Sequence, residues 1–434
     1  MIKKLNLWMP AILLVLSMGC RESSVIGDDF VEGAAYELAL NNSIQLGFST
    51  VRFDSLITSR SGRLLLGGQA STDHGDVSIE PYFLFTLADS EADVYIEVED
   101  FERNLRYDSL TLTIPMDGYT LYMGDETTSE TILFEQLPFE LEYLEDDETL
   151  YNYSDLNGKT DLEGVILGEA SFFMATDRIR DLQMRVSDRL GRALFAQMES
   201  EDDVFSDQDL ADEFLKGFRL SLRNNPFIFG INQDSLRLTL HATDITTTTL
   251  SNQEFNFFVA SAPYFSSVSH ENIPELLQVE ELEDEIPSNT LEDRTMIIGG
   301  LGYATKIDLT EIRNLLLDGE DFIVPEAELK VRWLEQSHET YPDLLVARLV
   351  NEDLIDIANN QSFQLIREKD EEYSRDNYYV MDATNIVNFI IDEPFGGQYY
   401  LLLTLEDLAT TPTPVYLGDQ SLSSELNIYT IKNK

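Results

Sequence analysis

The chain has 434 residues, 80 of them acidic and 29 basic, for a formal net charge of −51. Nucleic-acid phosphate is bound through clusters of Lys and Arg that release counterions, and no such cluster occurs here, so nucleic-acid binding is excluded as a main role. Apolar residues make up 43% of the chain and aromatics 10%, too much burial potential for a disordered polymer.

The N-terminus reads Met1-Ile-Lys-Lys, then an almost wholly apolar run from Leu7 to Leu16, then Ser17, Gly19 and Cys20. A basic start, a short apolar core and small residues are the layout of a secretory signal. The run falls short of the roughly 20 apolar residues that span a bilayer. Leu16-Ser-Met-Gly-Cys20 resembles a bacterial lipoprotein box, with Ser17 where an aliphatic residue usually stands. The resemblance implies that Cys20, the only cysteine, begins the mature protein and carries the lipid. Stable anchoring needs more than one acyl chain, and a lipoprotein N-terminus carries several. Arg21 follows the cysteine, so the usual inner-membrane retention residue is absent and outer-membrane sorting is expected. Whether the chain faces the periplasm or the cell surface stays open.

Residues 20–43 read as a lipidated tether after a 1–19 signal peptide. Strand patterns then dominate. Ser49-Thr-Val-Arg-Phe-Asp54 alternates apolar and polar residues, Leu64-Leu-Leu-Gly-Gly68 is an apolar run ended by glycines, and Tyr82–Leu87 and Tyr107–Ile114 are rich in β-formers. Such runs, separated by Gly, Pro, Asn and Asp clusters, predict antiparallel sheets. Helical patterns are short: Arg189–Phe195, and Leu210–Lys216 after a run of acids. The stretch 269–294, dense in acid and punctuated by Pro274 and Pro287, reads as an interdomain linker.

The two halves share an order of parts. Tyr107–Thr113 is followed by Leu182–Ser187 feeding a helix, and then by Lys216–Leu222. Glu326–Trp333 is followed by Tyr378–Thr384 feeding a helix, and then by Gly397–Leu405. The expected fold is mainly β: two antiparallel β-sandwich, jelly-roll-like domains with a few short helices. The N-terminal domain, with a helical insertion, is expected over 44–268, and the C-terminal domain over 295–434. A shorter echo, D-x-T-x-I-x-N, occurs at Asp308–Asn314 and Asp382–Asn388. There Thr310 and Thr384 are expected to cap helices.

The chain resembles the Bacteroidota lipoproteins grouped as domain of unknown function 4270. The stretches that carry the resemblance run in order: Val25–Phe30, Asp54–Gly67, Tyr107–Leu112, Tyr151-Asn-Tyr-Ser-Asp155, Phe214–Phe218, Gly300–Ile307 and Glu326–Val331. The family has no assigned activity. The resemblance implies a cell-envelope setting and nothing catalytic.

No catalytic motif is present. The four histidines, His74, His241, His270 and His338, form no zinc-binding spacing and are expected at the surface. Asp155-x-Asn-Gly-x-x-Asp161-x-Glu163 is oxygen-rich but fails the EF-hand spacing, since Lys159 stands where an acid is needed. No metal or cofactor is therefore assigned. Three Asp-Ser-Leu copies resemble the short O-glycosylation sequon of Bacteroidota, which makes Ser55, Ser109 and Ser235 candidate modification sites. The expected function is a non-enzymatic binding or structural component of the cell envelope, held to the outer membrane by lipid, with an envelope protein as partner. Two alternatives remain at this stage. One is a glycan-binding module using Tyr378, Tyr379, Tyr399 or Tyr400. The other is a hydrolase built from distant carboxylates.

Overall fold

A computed structural model describes residues 36–59, 61–86, 105–115, 121–124, 127–141, 149–154, 163–174, 181–199, 213–245, 251–278, 284–318, 322–334, 341–358, 361–369, 377–392 and 397–433. Cys20, the 155–162 stretch and His338 lie outside them. The fold is mainly β, with two antiparallel sheets and few helices, in keeping with sandwich-like domains.

The first strands are β1 (Tyr36–Asn41) and β2 (Gly47–Arg52). Next come β3 (Arg63–Ser71), β4 (Gly75–Thr86), β5 (Leu105–Ile114), β6 (Leu121–Gly124), β7 (Ser129–Gln136), β8 (Val165–Phe173) and β9 (Leu182–Val186). Helix α1 (Asp188–Glu199) precedes β10 (Phe218–Leu222), β11 (Phe227–Asn232), β12 (Arg237–Asp244) and the long β13 (Ser251–Glu271). Short β14 (Ile286–Pro287) leads to β15 (Arg294–Ile298), β16 (Tyr303–Asp308), β17 (Phe322–Arg332), β18 (Leu344–Val350), β19 (Ser362–Lys369) and β20 (Asn377–Asp382). Helix α2 (Thr384–Asp392), β21 (Tyr400–Thr404), β22 (Pro414–Gly418) and β23 (Glu425–Asn433) finish the chain.

Both sheets are wired alike. In the first, β11 pairs β3, β3 pairs β4, β4 pairs β10, β10 pairs β7 and β7 pairs β8. Strand β9 pairs β5, and β5 pairs β12. Substituting β22, β15, β16, β21, β18, β19, β20, β17 and β23 in that order reproduces the second sheet. One difference lies between β8 and β9, which meet through Ser187 N donating to Leu167 O at 2.7 Å and not through a strand ladder. Each helix follows the equivalent strand, β9 or β20, and packs on the equivalent neighbour, β5 or β17.

Each sheet is closed by a strand that precedes the other body in sequence. Strand β13 pairs β12 through its first half and β4 through its second, with the register broken between Val259 and Tyr264. In the second sheet the same two places are filled by β1 on β23 and β2 on β16. Residues 36–52, expected in the tether and the first domain, therefore belong to the second sheet. Local alternation marks a strand but carries no information about which distant edge it joins.

The expected linker 269–294 is also built into the structure. Strand β13 runs to Glu271, β14 pairs β2, and Leu277, Ile286 and Leu291 are buried. Helix α1 begins and ends near the expected segment. Of the second expected helix, residues 213–215 are helical and 210–212 lie outside the described residues.

The cores differ in composition. The first is aromatic, with Phe85, Phe134 and Phe218 in mutual ring contact at 5.1–6.3 Å between centroids. Offset and edge-to-face pairs of this kind add to the burial of the rings. The second is aliphatic, around Leu329, Leu345, Leu365, Leu401, Leu403 and Leu426. A third cluster joins the sheets, with Leu65, Val77, Ile79, Ile228 and Val268 from one side and Met296, Ile298, Leu301, Tyr303 and Tyr416 from the other. This explains the unbroken Leu64-Leu-Leu66 run: Leu64 and Leu66 enter the first core and Leu65 enters the seam.

Candidate functional site

The seam concentrates the polar chemistry that the cores lack. Arg52, the last residue of β2, donates from Nη2 to Tyr153 Oη at 2.6 Å. Its guanidinium lies 5.4 Å from the Tyr153 ring centroid and 5.6 Å from that of Tyr303. Tyr153 in turn donates to Leu301 O at 3.3 Å. Fully buried Asn152 donates from Nδ2 to Gly300 O at 2.7 Å and accepts from Leu56 N at 2.8 Å. Tyr303 donates to Leu277 O at 3.2 Å, and burial raises its phenol to about 12. A buried donor or acceptor left unpaired costs roughly 1–3 kcal/mol, so these pairings fix how the sheets meet.

Two histidines belong to the same seam, contrary to the surface positions expected for them. His74 sits in the β3–β4 hairpin and is buried, with Nδ1 3.4 Å from Tyr416 Oη. His270, half-buried on β13, places Nε2 2.6 Å from His74 O and its ring edge-on to Tyr303. Burial lowers the His74 pKa to about 4, helped by the neighbouring His270 and opposed by Asp73. Burial also lowers His270, with Arg52 adding to the effect. Gly75 makes the hairpin feasible. It holds φ +96°, and a Cβ there would lie 2.8 Å from Glu271 O. A histidine within the polar Ser-Thr-Asp-His-Gly-Asp turn carries no sequence signal of burial. The tight glycine hairpin is what folds it inward.

The opposite face of the same strand ends forms a cleft of about 260 Å³. Gly68, Ser78 and Ser269 are register partners across β3, β4 and β13, and Ser78 and Ser269 make its floor. Asp76 and Glu271, also paired across strands, stand on the rim. Asn225 forms a wall. Its Nδ2 lies 3.3 Å from Ser78 Oγ, and a Cβ on Gly68 would come within 2.9 Å of its own Cβ. Buried Glu130 holds the Asn225 turn by accepting from Asn224 N at 3.1 Å. Asp76 accepts from Asn272 Nδ2 at 2.6 Å.

The expected tyrosine platforms are divided between core and cation contacts. Tyr379 and Tyr399 are buried. Tyr378 is half-buried beside the Arg332 guanidinium, 5.4 Å from its ring centroid. Tyr400 is covered by Lys306 Nζ at 3.8 Å. Lys306 is itself buried and pairs with Glu285 at 2.5 Å, while Glu285 accepts from Ser49 Oγ at 2.8 Å. Alternation along a strand sends neighbouring rings to opposite faces, which is why each pair splits.

The three Asp-Ser-Leu serines are separated. Ser55 is exposed in the loop after β2, and Ser235 is exposed in a 3-10 turn (Gln233–Ser235). Ser109 is half-buried within β5, opposite His241. The leucines that follow Ser109 and Ser235 are fully buried in the core, and the Ser235 copy leads directly into β12. The D-x-T pairs act through the aspartate. Asp308 accepts from Thr310 N at 2.8 Å and Asp382 from Thr384 N at 2.9 Å. Thr384 Oγ1 instead accepts from Ala327 N at 2.9 Å, and Thr310 Oγ1 makes no cap. The carboxylate two residues ahead of the helical N–H reaches it first, forming an Asx turn.

Among the described residues no helix is long and apolar enough to cross a membrane, and no group of three metal-ligating side chains converges. No family model matches the chain, and no curated protein matches it. Among solved structures it is similar to the VP2 subviral particle of infectious bursal disease virus. That similarity is 10% in identity over 90% of this chain and 80% of the other, with a TM-score of 0.11 that carries no argument.

Proposed function

We propose that the chain is a lipid-anchored outer-membrane lipoprotein of the domain of unknown function 4270 family, serving as a non-enzymatic binding or structural component of the cell envelope. The observation that carries this reading is Cys20, the sole cysteine, placed directly behind a basic start and a short apolar run. The stretches that resemble the family support it further. Tyr151–Ser154 and Gly300–Tyr303 meet through Asn152 and Gly300, and Glu326–Val331 lies in β17, so these residues build the join between the sheets and the second core. Residues in such places serve a scaffold. An acidic surface keeps that scaffold dispersed by mutual repulsion.

The test is expression of the full chain and of Cys20→Ala in a Bacteroidota host fed an alkyne-tagged fatty acid. The native chain is expected to take up the label and sediment with outer membranes. Cys20→Ala is expected to remain unlabelled and not to sediment with them. An unlabelled native chain would overturn the reading. Crosslinking in intact cells, followed by recovery of the native chain, is expected to bring down an envelope protein in constant ratio.

A further inference from the structure

We propose that the cleft over Ser78 and Ser269, walled by Asn225, binds one neutral sugar residue. The inference stands apart from the lipid anchor, since the cleft is formed whether or not Cys20 is modified.

The floor is made of the smallest side chains available. Three neighbouring strands place Gly68, Ser78 and Ser269 in one cross-strand row, and Ala70, Asp76 and Glu271 in the next row on the same face. Side chains two apart on a strand share a face, so both rows open to the same side. Ser78 and Ser269 leave a depression, and Asn225, seated over Gly68, raises a wall beside it. The depression is about 260 Å³, a size for one small ring and not for an extended chain. Its form is fixed from beneath. Gly68 leaves no room for a Cβ, because Val77 O would be 2.5 Å away and Asn225 Cβ 2.9 Å away. Asn225 holds φ +49°, a left-handed conformation that asparagine tolerates better than most residues. The turn is pinned by Glu130, which is only 2% exposed.

The lining chemistry selects the ligand class. Asp76 and Glu271 are acceptors only, the two asparagines offer amide oxygens and N–H groups, and the serines both donate and accept. No Lys, Arg or His lines the cleft. An anionic ligand would meet two carboxylates and no counter-charge, in a chain of net charge −51, so phosphate, sulfate and uronic acids are disfavoured. A neutral ring rich in hydroxyls supplies the donors that the rim carboxylates need and the acceptors that the amides need. Sites of this kind combine a shaped depression with a few placed polar groups.

Saturation-transfer NMR on the full chain, with methyl glucoside, galactose, mannose and N-acetylglucosamine as probes and glucuronate as the anionic control, tests the proposal. At least one neutral sugar is expected to show saturable binding in the millimolar range, with glucuronate at least tenfold weaker. Ser269→Phe, which fills the floor, and Glu271→Gln, which removes rim charge, are each expected to weaken binding at least tenfold. Both positions are exposed, so the thermal midpoint is expected to stay put and to show that loss of binding is not loss of fold. The proposal falls if no neutral sugar saturates or if binding survives Ser269→Phe. It falls equally if glucuronate binds as well, or if binding appears only with added Ca²⁺.

Discussion

The two sheets share one wiring diagram and are closed by different means. The first is completed by β13, a continuous strand that bends once and pairs both β12 and β4. The second is completed by β1 and β2, which enter from before the first body. Strand β13 follows directly from β12 and closes its own sheet, whereas β1 and β2 lie before the whole first body and close the second. The sheets meet through the apolar seam and its hydrogen bonds, and only the second sheet depends on residues from the far side of its neighbour. The difference teaches that equivalent edges in two alike sheets can be filled by a neighbour in sequence or by strands from the opposite end of the chain.

The largest expected effect comes from removing residues 36–52. Strand β23 would lose its partner along six register positions and β16 along another six. The second sheet is expected to become sensitive to protease while residues 61–278, whose ring stays complete, remain protected. Limited proteolysis with mass readout checks this. An unchanged digestion pattern and thermal midpoint would show that β1 and β2 are dispensable and would break the comparison.

A middle-sized effect is expected from pH, through the seam. His74 is held at about 4 when folded, below its ordinary 6.5. The unfolded chain therefore binds the extra proton first. The stability tied to a neutral His74 is fully present above about pH 6.5 and is lost as pH falls toward about 4. A single site of this kind changes stability by at most ~1.4 kcal/mol per pH unit across that window. Urea unfolding at intervals between pH 7 and pH 4 is expected to show a steeper decline for the native chain than for His74→Gln.

The smallest effect compares the two helix starts. Ser187 Oγ accepts from Arg189 N at 3.3 Å ahead of α1, and Asp382 accepts from Thr384 N at 2.9 Å ahead of α2. The hydrogen bonds from the Thr384 hydroxyl and N–H hold the Asp382 carboxyl below its ordinary range. Asp382→Ala is expected to cost about 1 kcal/mol, within the usual range for lost caps. Ser187→Ala is expected to cost less, because its bond is longer. Thermal midpoints of the two variants separate these outcomes.

Much of the architecture can be read locally. The strand runs at Leu64–Gly68, Tyr82–Leu87 and Tyr107–Ile114, the helix near Arg189–Phe195 and the matched order of the halves all rest on periodicity and turn residues, and strands and a helix appear in place, the second run being described as far as Thr86. The closing of the second sheet by β1 and β2 is not local. The pairing of Tyr36 with Asn433 joins opposite ends of the chain, and no window of sequence contains both. The buried histidines escape for a related reason. His74 is flanked by Thr, Asp and Gly, and only the tertiary approach of Tyr416 encloses it. The cleft is made of glycine, serine and asparagine, residues that in sequence signal turns. Their shared face depends on the register of three strands.

The register of β1 on β23 has a mechanical consequence. Tyr36 opposes Asn433, Glu37 opposes Lys432, and the ladder ends at Asn41 and Ile428. The start of β1 and the end of β23 thus meet at one corner of the second sheet. Tension applied at the N-terminus, as a membrane tether would apply it, acts first on the Tyr36 end of this ladder and opens its hydrogen bonds one after another. A strand peeled from its end yields at lower force than one sheared along its length, because the bonds share no load. The second sheet is therefore the part of the molecule that feels a pull first, although it is almost wholly encoded last.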